Sequence, residues 1–228
     1  MAKFLLVHGV TAGGWIWKQV ASLLREAGHD VYTPTLTGVG ERVHLLTRDV
    51  DLGTHIEDIV NVIIYEELRE VILVGHSYGG AVVSGVAERI PERLSHLVFL
   101  DAQILRDGES VNDLYDRHII DAMTERVRAH GDGWRFTPRE PKLDPRCTDH
   151  PLRTLNQPLD INNPVAAALP RTCIFCTEKE EMGPIGQGII RSAARARAAG
   201  WPYYELRTGH DPQLTMPNEL VNLFAKLV

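Results

Sequence analysis

The chain has 228 residues, with thirty acidic against twenty-four basic side chains and a formal net charge of −6. That is enough for one domain of ordinary size, with or without a modest insertion, to bury a core without disulfides or metal. The lack of a Lys/Arg block argues against a nucleic-acid partner. No apolar run approaches the roughly 18 residues of a membrane span, and the start MAKFLLVHG reads as a first strand, not as a secretory leader. A cytoplasmic location is the expectation.

Taken in order, Phe4 to Val7 forms a short apolar strand and His8 to Gly14 a small-residue loop. Trp15 to Ala27 carries helical periodicity through Trp17, Val20, Leu23 and Leu24, and Gly28 closes it. Asp30 to Thr33 begins a second strand, stopped by Pro34, and Thr35 to Arg42 is a loop. Leu52 to Leu68 reads as a helix, with Thr54 as N-cap and Glu57 at capping-box spacing.

Val71 to Val74 is uncharged and rich in β-branched residues, as a buried strand should be. It runs into Gly75-His76-Ser77-Tyr78-Gly79, and a helix follows to about Ile90, ended by Pro91. Strand, glycine-bracketed turn and helix form the context that makes a G-x-S-x-G sequence a nucleophile elbow. The small residues on either side let strand and helix approach while the serine is pushed outward. Leu94 to Leu100 is the next strand, with Asp101 and Ala102 at its carboxyl end.

From Leu105 to Val165 the chain changes character, with clustered charges and prolines and only Val111 to Arg128 helical in pattern. It is too long for a simple connection, so it reads as a cap inserted in a core of residues 1–104 and 166–228. Thr172 to Cys176 returns to strand, Ile185 to Ala199 to helix, Trp201 to Leu206 to a last strand, and Pro217 to Val228 to a closing helix. Alternating strands and helices imply an α/β fold whose mostly parallel sheet is covered on both faces. Cys173 and Cys176 have C-x-x-C spacing but lie within a strand, where such residues face opposite ways, so core thiols are expected.

A serine needs a histidine to take its proton and a carboxylate to orient that histidine. Of the ten histidines, His210 follows the last strand in a turn, at the sheet edge where catalytic groups gather. His76 points away from its neighbour Ser77 and packs beneath the elbow, and His8 braces its loop. Glu180 is the favoured acid, after the penultimate strand and in the order serine, acid, histidine. Asp101, Glu178 and Glu181 are the alternatives. Peptide N–H groups of Val10 and Tyr78 would form the oxyanion hole. Trp15, Leu105, Met123 and Trp134, with Trp17 and Tyr78, are candidates for an apolar pocket. Nothing in the pattern implies a metal or a cofactor.

These landmarks resemble the α/β-hydrolase superfamily. They are similar to its branch of plant methylesterases, hydroxynitrile lyases and bacterial esterases of the pyrethroid-hydrolase type. The resemblance rests on Leu6-Val7-His8-Gly9, Gly13-Gly14-Trp15-Ile16-Trp17, Thr35 to Arg42, Gly75 to Gly80, Phe99 to Ala102, Cys176-Thr177 and Gly209-His210-Asp211. It implies Ser77 as nucleophile, His210 as base and, in place of the branch's aspartate, Glu180 as acid. The lyases carry a threonine at the place of Gly9 and a lysine at that of Asp211, so the resemblance implies ester hydrolysis of a small-molecule substrate. Amide or C–C hydrolysis, lyase chemistry and a non-catalytic ligand-binding homologue are the alternatives.

Overall fold

The computed structural model describes residues 1–138 and 144–228, the side chain of Glu181 excepted. The chain enters as β1 (Lys3–Val7), α1 (Lys18–Glu26), β2 (Asp30–Tyr32), α2 (Leu52–Tyr65), β3 (Val71–His76), α3 (Gly79–Arg89) and β4 (Leu94–Leu100). It continues through α4 (Arg117–His130), β5 (Arg135–Phe136), β6 (His150–Pro151), α5 (Arg153–Asn156) and α6 (Pro164–Ala167). It closes with β7 (Arg171–Cys176), α7 (Gly186–Ala198), β8 (Tyr203–Leu206), α8 (Pro212–Thr215) and α9 (Pro217–Phe224).

Six strands form one parallel sheet in the order β2-β1-β3-β4-β7-β8, and β5 pairs antiparallel with β6 apart from it. Period-two alternation divides the sheet's side chains between two apolar layers. Leu5, Val7, Leu73, Phe99 and Cys173 pack on the side of α2 and α3. Phe4, Leu6, Val74, Leu100 and Cys176 pack on the side of α1 and α9. The two cysteines are therefore buried, unlinked thiols on opposite faces, and burial pushes Cys173 up to about 12. Covered on both sides, β3 is buried along its whole length, which explains its unbroken apolar run.

Two of the helix boundaries that differ from the sequence reading have a clear local cause. The cap of α2 is Asp51, not Thr54: the Asp51 carboxylate accepts from the Thr54 N–H at 2.9 Å, and Thr54 closes a reciprocal box as the third residue inside. The helix expected over Val111 to Arg128 is interrupted. Ser110 and Asp113 close a single 3-10 turn, Val111–Leu114, Tyr115 is extended, and α4 starts afresh after Asp116.

β2 lies on one side of β1, and the strands from β3 onward lie on the other. The crevice where connections diverge, beyond the carboxyl ends of β1 and β3, is where an open α/β sheet binds ligands. His8-Gly9-Val10 leaves β1 there, and Ser77 leaves β3.

Candidate active site

Ser77 follows the last residue of β3 with φ of +54°, a left-handed conformation that costs a non-glycine residue about 1 kcal/mol or more. Backbone bonds over-determine it. Its N–H donates to Leu100 O at 3.2 Å, and its carbonyl accepts from Gly80 N–H and Gln103 N–H, each at 3.0 Å. At Gly75, a Cβ would stand 2.5 Å from Gly79 O, so strand and helix close the turn only with glycine there.

The loop after β1 presses on Ser77 from the other side. A Cβ on Gly9 would lie 2.9 Å from Ser77 Cβ, and Val10 lines the same cavity as Ser77. His8 Nδ1–H donates to Gly9 O at 2.7 Å, which leaves Nε2 to accept from Leu36 N–H at 3.1 Å. Burial lowers this ring to about 4, so it stays neutral and can accept. Gly14 N–H donates to Thr35 Oγ1 at 2.7 Å. Thr11, β-branched yet at φ of +61°, is a genuine backbone outlier. It is gripped from the far segment: Thr148 N–H donates to its carbonyl at 2.9 Å, and its own N–H reaches His150 Nδ1 at 3.4 Å.

Tyr78 is the N-cap of α3, so its peptide N–H is one of the donors a helix start leaves without an intrahelical partner. Its ring is fully buried and serves the core instead. His55 Nε2–H donates to Thr37 O at 2.8 Å, so His55 Nδ1 accepts from Tyr78 O–H at 3.0 Å.

His210, in the turn after β8, points Nδ1 at Asp101 Oδ2, 2.6 Å away. The ring's Nε2 is thereby left on the side away from the carboxylate, and the ring lines the cavity with Ser77. Here the sequence reading needs correction: the carboxylate on His210 is Asp101 and not Glu180. The chain after β7 turns into a 3-10 helix at Glu180, which leaves that side chain exposed. Glu178 is exposed too, 3.7 Å from Arg207, and the side chain of Glu181 lies outside the described residues. Asp101 is 1% exposed with φ of +44°, and Asp101 N–H donates to Ile174 O at 2.7 Å. Its Oδ1 also accepts from Cys176 N–H at 3.0 Å, and Lys179 Nζ meets the two carboxylate oxygens at 2.6 and 2.5 Å. Burial pushes this carboxyl up, but the His210 hydrogen bond and the charges of His210 and Lys179 outweigh it and hold it below its ordinary value.

His76 holds the other face of the turn that carries His210. Its Nε2–H donates to His210 O at 2.8 Å, and the two rings lie 4.6 Å apart. Burial, then the neighbouring His210, lowers it to about 4. It sits beneath the elbow as a neutral brace.

Above Ser77 opens a cavity of about 370 Å³, walled largely by Ile16, Tyr115, Phe136, Met182, Ile185 and Ile189. Most of the expected pocket residues lie elsewhere. Leu105 is in the core, and so is Trp17, edge-on to His76. Trp15 lies under Arg146, and Trp134 under Arg48 and Arg135. Met123 lines a second cavity of about 210 Å³ that shares Phe136 and Ile185 with the first. The sequence reading missed Met182, Ile185 and Ile189, which the kink at Gly183 and the start of α7 bring to one wall. It also missed Lys179, Thr148 and His150, for which no pattern in one chain gives a signal.

The model of the alpha/beta hydrolase family matches residues 4–223. The chain belongs to that family. Among its relatives, the carbendazim hydrolyzing esterase of Nocardioides sp. (strain SG-4G) is 36% identical, the alignment covering 100% of both chains. Methylesterase 14, chloroplastic, of Arabidopsis thaliana is 35% identical over 51% of this chain and 34% of its own length. Among solved structures, an extracellular alpha/beta-hydrolase from a Paenibacillus species superposes with a TM-score of 0.80 at 23% identity, covering 99% of this chain and 98% of that one. The expected α/β-hydrolase fold and the plant-methylesterase side of the resemblance are therefore met. The expected cytoplasmic location is contradicted: the methylesterase is named chloroplastic and the Paenibacillus hydrolase extracellular. Among the described residues no helix is long and apolar enough to cross a membrane.

Proposed function

We propose that the protein is a serine carboxylic-ester hydrolase for small to medium, largely apolar esters, with Ser77, His210 and Asp101 as its triad. The observation that carries this reading is the 2.6 Å contact of His210 Nδ1 with a buried Asp101 beside a serine held at φ of +54°. The cavity of about 370 Å³ above it has the size and apolar walls of a small-molecule site, and the 36% identical relative is named an esterase.

In the first half-reaction His210 Nε2 takes the Ser77 proton as Oγ attacks the ester carbonyl. Asp101 holds the proton on Nδ1, so Nε2 is the basic nitrogen, and it stabilises the imidazolium that forms. The oxyanion develops toward the N–H groups of Val10 and Tyr78, which are fixed before the reaction and need no reorganisation. His210 then protonates the departing alcohol. In the second half-reaction the same nitrogen takes a proton from water, which attacks the acyl-enzyme and releases the acid and Ser77. The described residues of 105–165 act as a cap, contributing Tyr115, Phe136 and Pro138 to the cavity wall, and 139–143 lie outside the described residues.

The test is hydrolysis of a panel of p-nitrophenyl and methyl aryl esters by the native protein and by Ser77→Ala. Native turnover, lost by about 10⁴-fold or more in the variant, is expected. Turnover that survives the substitution overturns the mechanism, and a native protein inert toward every ester overturns the ester reading.

A further inference from the structure

Lys179 touches the carboxylate of the Asp101–His210 pair, and the mechanism above has no use for it. Its side chain is 13% exposed and that of Asp101 is 0%. A buried ammonium and a buried carboxylate each carry a large desolvation penalty, offset only by good geometry and further hydrogen bonds. Both conditions are met. Nζ reaches both carboxylate oxygens, at 2.6 and 2.5 Å, and it lies 4.5 Å from the centre of the Phe175 ring, whose face favours a cation.

The carboxylate is thus shared. Lys179 contacts both oxygens, Cys176 N–H also bonds Oδ1, and His210 also bonds Oδ2. The other titratable groups that act on this carboxylate or its immediate partners are His76 on β3, Cys173 and Cys176 on β7, and Asp211 beside His210. Of these, His76 and both thiols are neutral at ordinary pH, because burial lowers the imidazole and raises the thiols. Asp211 adds negative charge nearby, 3.8 Å from His76. Lys179 is therefore the only permanent positive charge touching Asp101 among the described residues.

Resting on the triad proposed above, we infer that Lys179 is a positioning residue of the catalytic machinery. Its ammonium serves as the fixed counter-ion that lets a fully buried carboxylate at the end of β4 act on His210. Without it, the burial that disfavours the Asp101 anion is opposed only by the histidine and one peptide N–H. The carboxyl then takes up a proton at higher pH, and its rotation is no longer fixed by a two-oxygen contact. An arginine offers a permanent charge and two donors to the same carboxylate, whereas methionine offers volume alone.

The experiment compares wild type, Lys179→Met and Lys179→Arg by pH profiles of kcat and kcat/KM on p-nitrophenyl esters, by the labelling rate of Ser77 with a fluorophosphonate, and by Tm. Lys179→Met is expected to lose about tenfold to a hundredfold in kcat with KM little changed. The acid limb of its kcat/KM profile should move to higher pH by about one pH unit. Lys179→Arg should restore both to near the wild-type profile. An unmoved acid limb in Lys179→Met overturns the inference, whether activity holds or falls in proportion to Tm, because Lys179 then only anchors its turn. If wild type is labelled by the fluorophosphonate yet inert toward esters, the ester reading fails alone. The pH dependence of the labelling rate then decides the role of Lys179 by the same criterion.

Discussion

The two sides of Ser77 are built from different materials. On the oxyanion side, the loop Gly9 to Gly14 is held by neutral groups: peptide N–H and carbonyl bonds, a threonine hydroxyl, and imidazoles whose tautomers are set by their partners. On the acid side, one buried carboxylate is gripped by an ammonium, an imidazole and a peptide N–H. The first side controls the position of backbone donors, which do not change charge during the reaction. The second controls a charge that must be present before the imidazolium forms and must not be discharged by it. Neutral scaffolding suffices where geometry is the requirement, whereas a buried charge needs a counter-charge.

The acid side gives the sharpest test of this contrast. Asp101→Asn should lower kcat/KM by about 10³- to 10⁴-fold, since the amide no longer stabilises the imidazolium and no longer selects its tautomer. It also leaves the Lys179 ammonium buried and unpaired, a loss of roughly 3–5 kcal/mol, so Tm should fall as well. Retention of a tenth or more of the wild-type kcat/KM would break the assignment of Asp101 as the triad acid.

The oxyanion side should answer to shape alone. Gly9→Ala places a methyl where Ser77 Cβ stands 2.9 Å away, so the loop must retreat by a few tenths of an ångström and take Val10 N–H with it. A displacement of this kind costs about 10²-fold in kcat, with KM and the pH profile little changed. A shifted pH profile in this variant would mean that the two sides are not separable in the way argued above.

The same contrast explains what could be read from one chain. Gly75 and Gly79 were legible because a Cβ there would stand 2.5 and 2.8 Å from backbone oxygens, so motif and geometry are the same fact. Asp101 was not decidable from Glu180 because two neighbouring parallel strands, β4 and β7, both end below His210, and a carboxylate from either can reach it. The residue that tips the choice, Lys179, lies between Glu178 and Glu180, two of the three glutamates offered as candidates, and its inward turn depends on where the 3-10 helix starts. The cavity walls were misread for a related reason. Tryptophans are conspicuous in a sequence, yet Trp15 and Trp134 stack under arginines, while much of the lining comes from Met182, Ile185 and Ile189, just before and along α7. The alternation of strands, in contrast, follows from burial on both faces and was readable almost residue by residue.

The neutral scaffold has a cost in acid. His8, His55 and His76 are each lowered by burial to about 4, and His150 is lowered well below its ordinary value. In the unfolded chain these rings protonate near 6.5. Between those limits the unfolded state binds more protons, so stability is full above about pH 6.5 and drains away as pH falls toward 4. Each ring accounts for roughly 3 kcal/mol of that slope. Tm measured from pH 7 to 4 should therefore fall steeply below pH 6.5, well before the carboxylates titrate. Asp101 adds nothing in this window, because its own contribution is lost only below the ordinary carboxylate range. A flat Tm down to pH 5 would show that these rings are not held neutral.

The smallest expected effect is the one that separates the two candidate acids. Glu180 is exposed at the start of its turn, where an isosteric loss of charge changes stability by no more than about 0.5 kcal/mol. Glu180→Gln should leave kcat, KM and the acid limb of the pH profile within about twofold of wild type. The substitution is informative because glutamine keeps the length and hydrogen-bonding reach of glutamate and removes only the charge. If Asp101 supplies that charge, nothing is lost. A tenfold fall in kcat, with Tm unchanged, would mean that the turn after β7 closes on His210 when substrate binds. Asp101 and Lys179 would then be a resting pair that the working enzyme leaves behind.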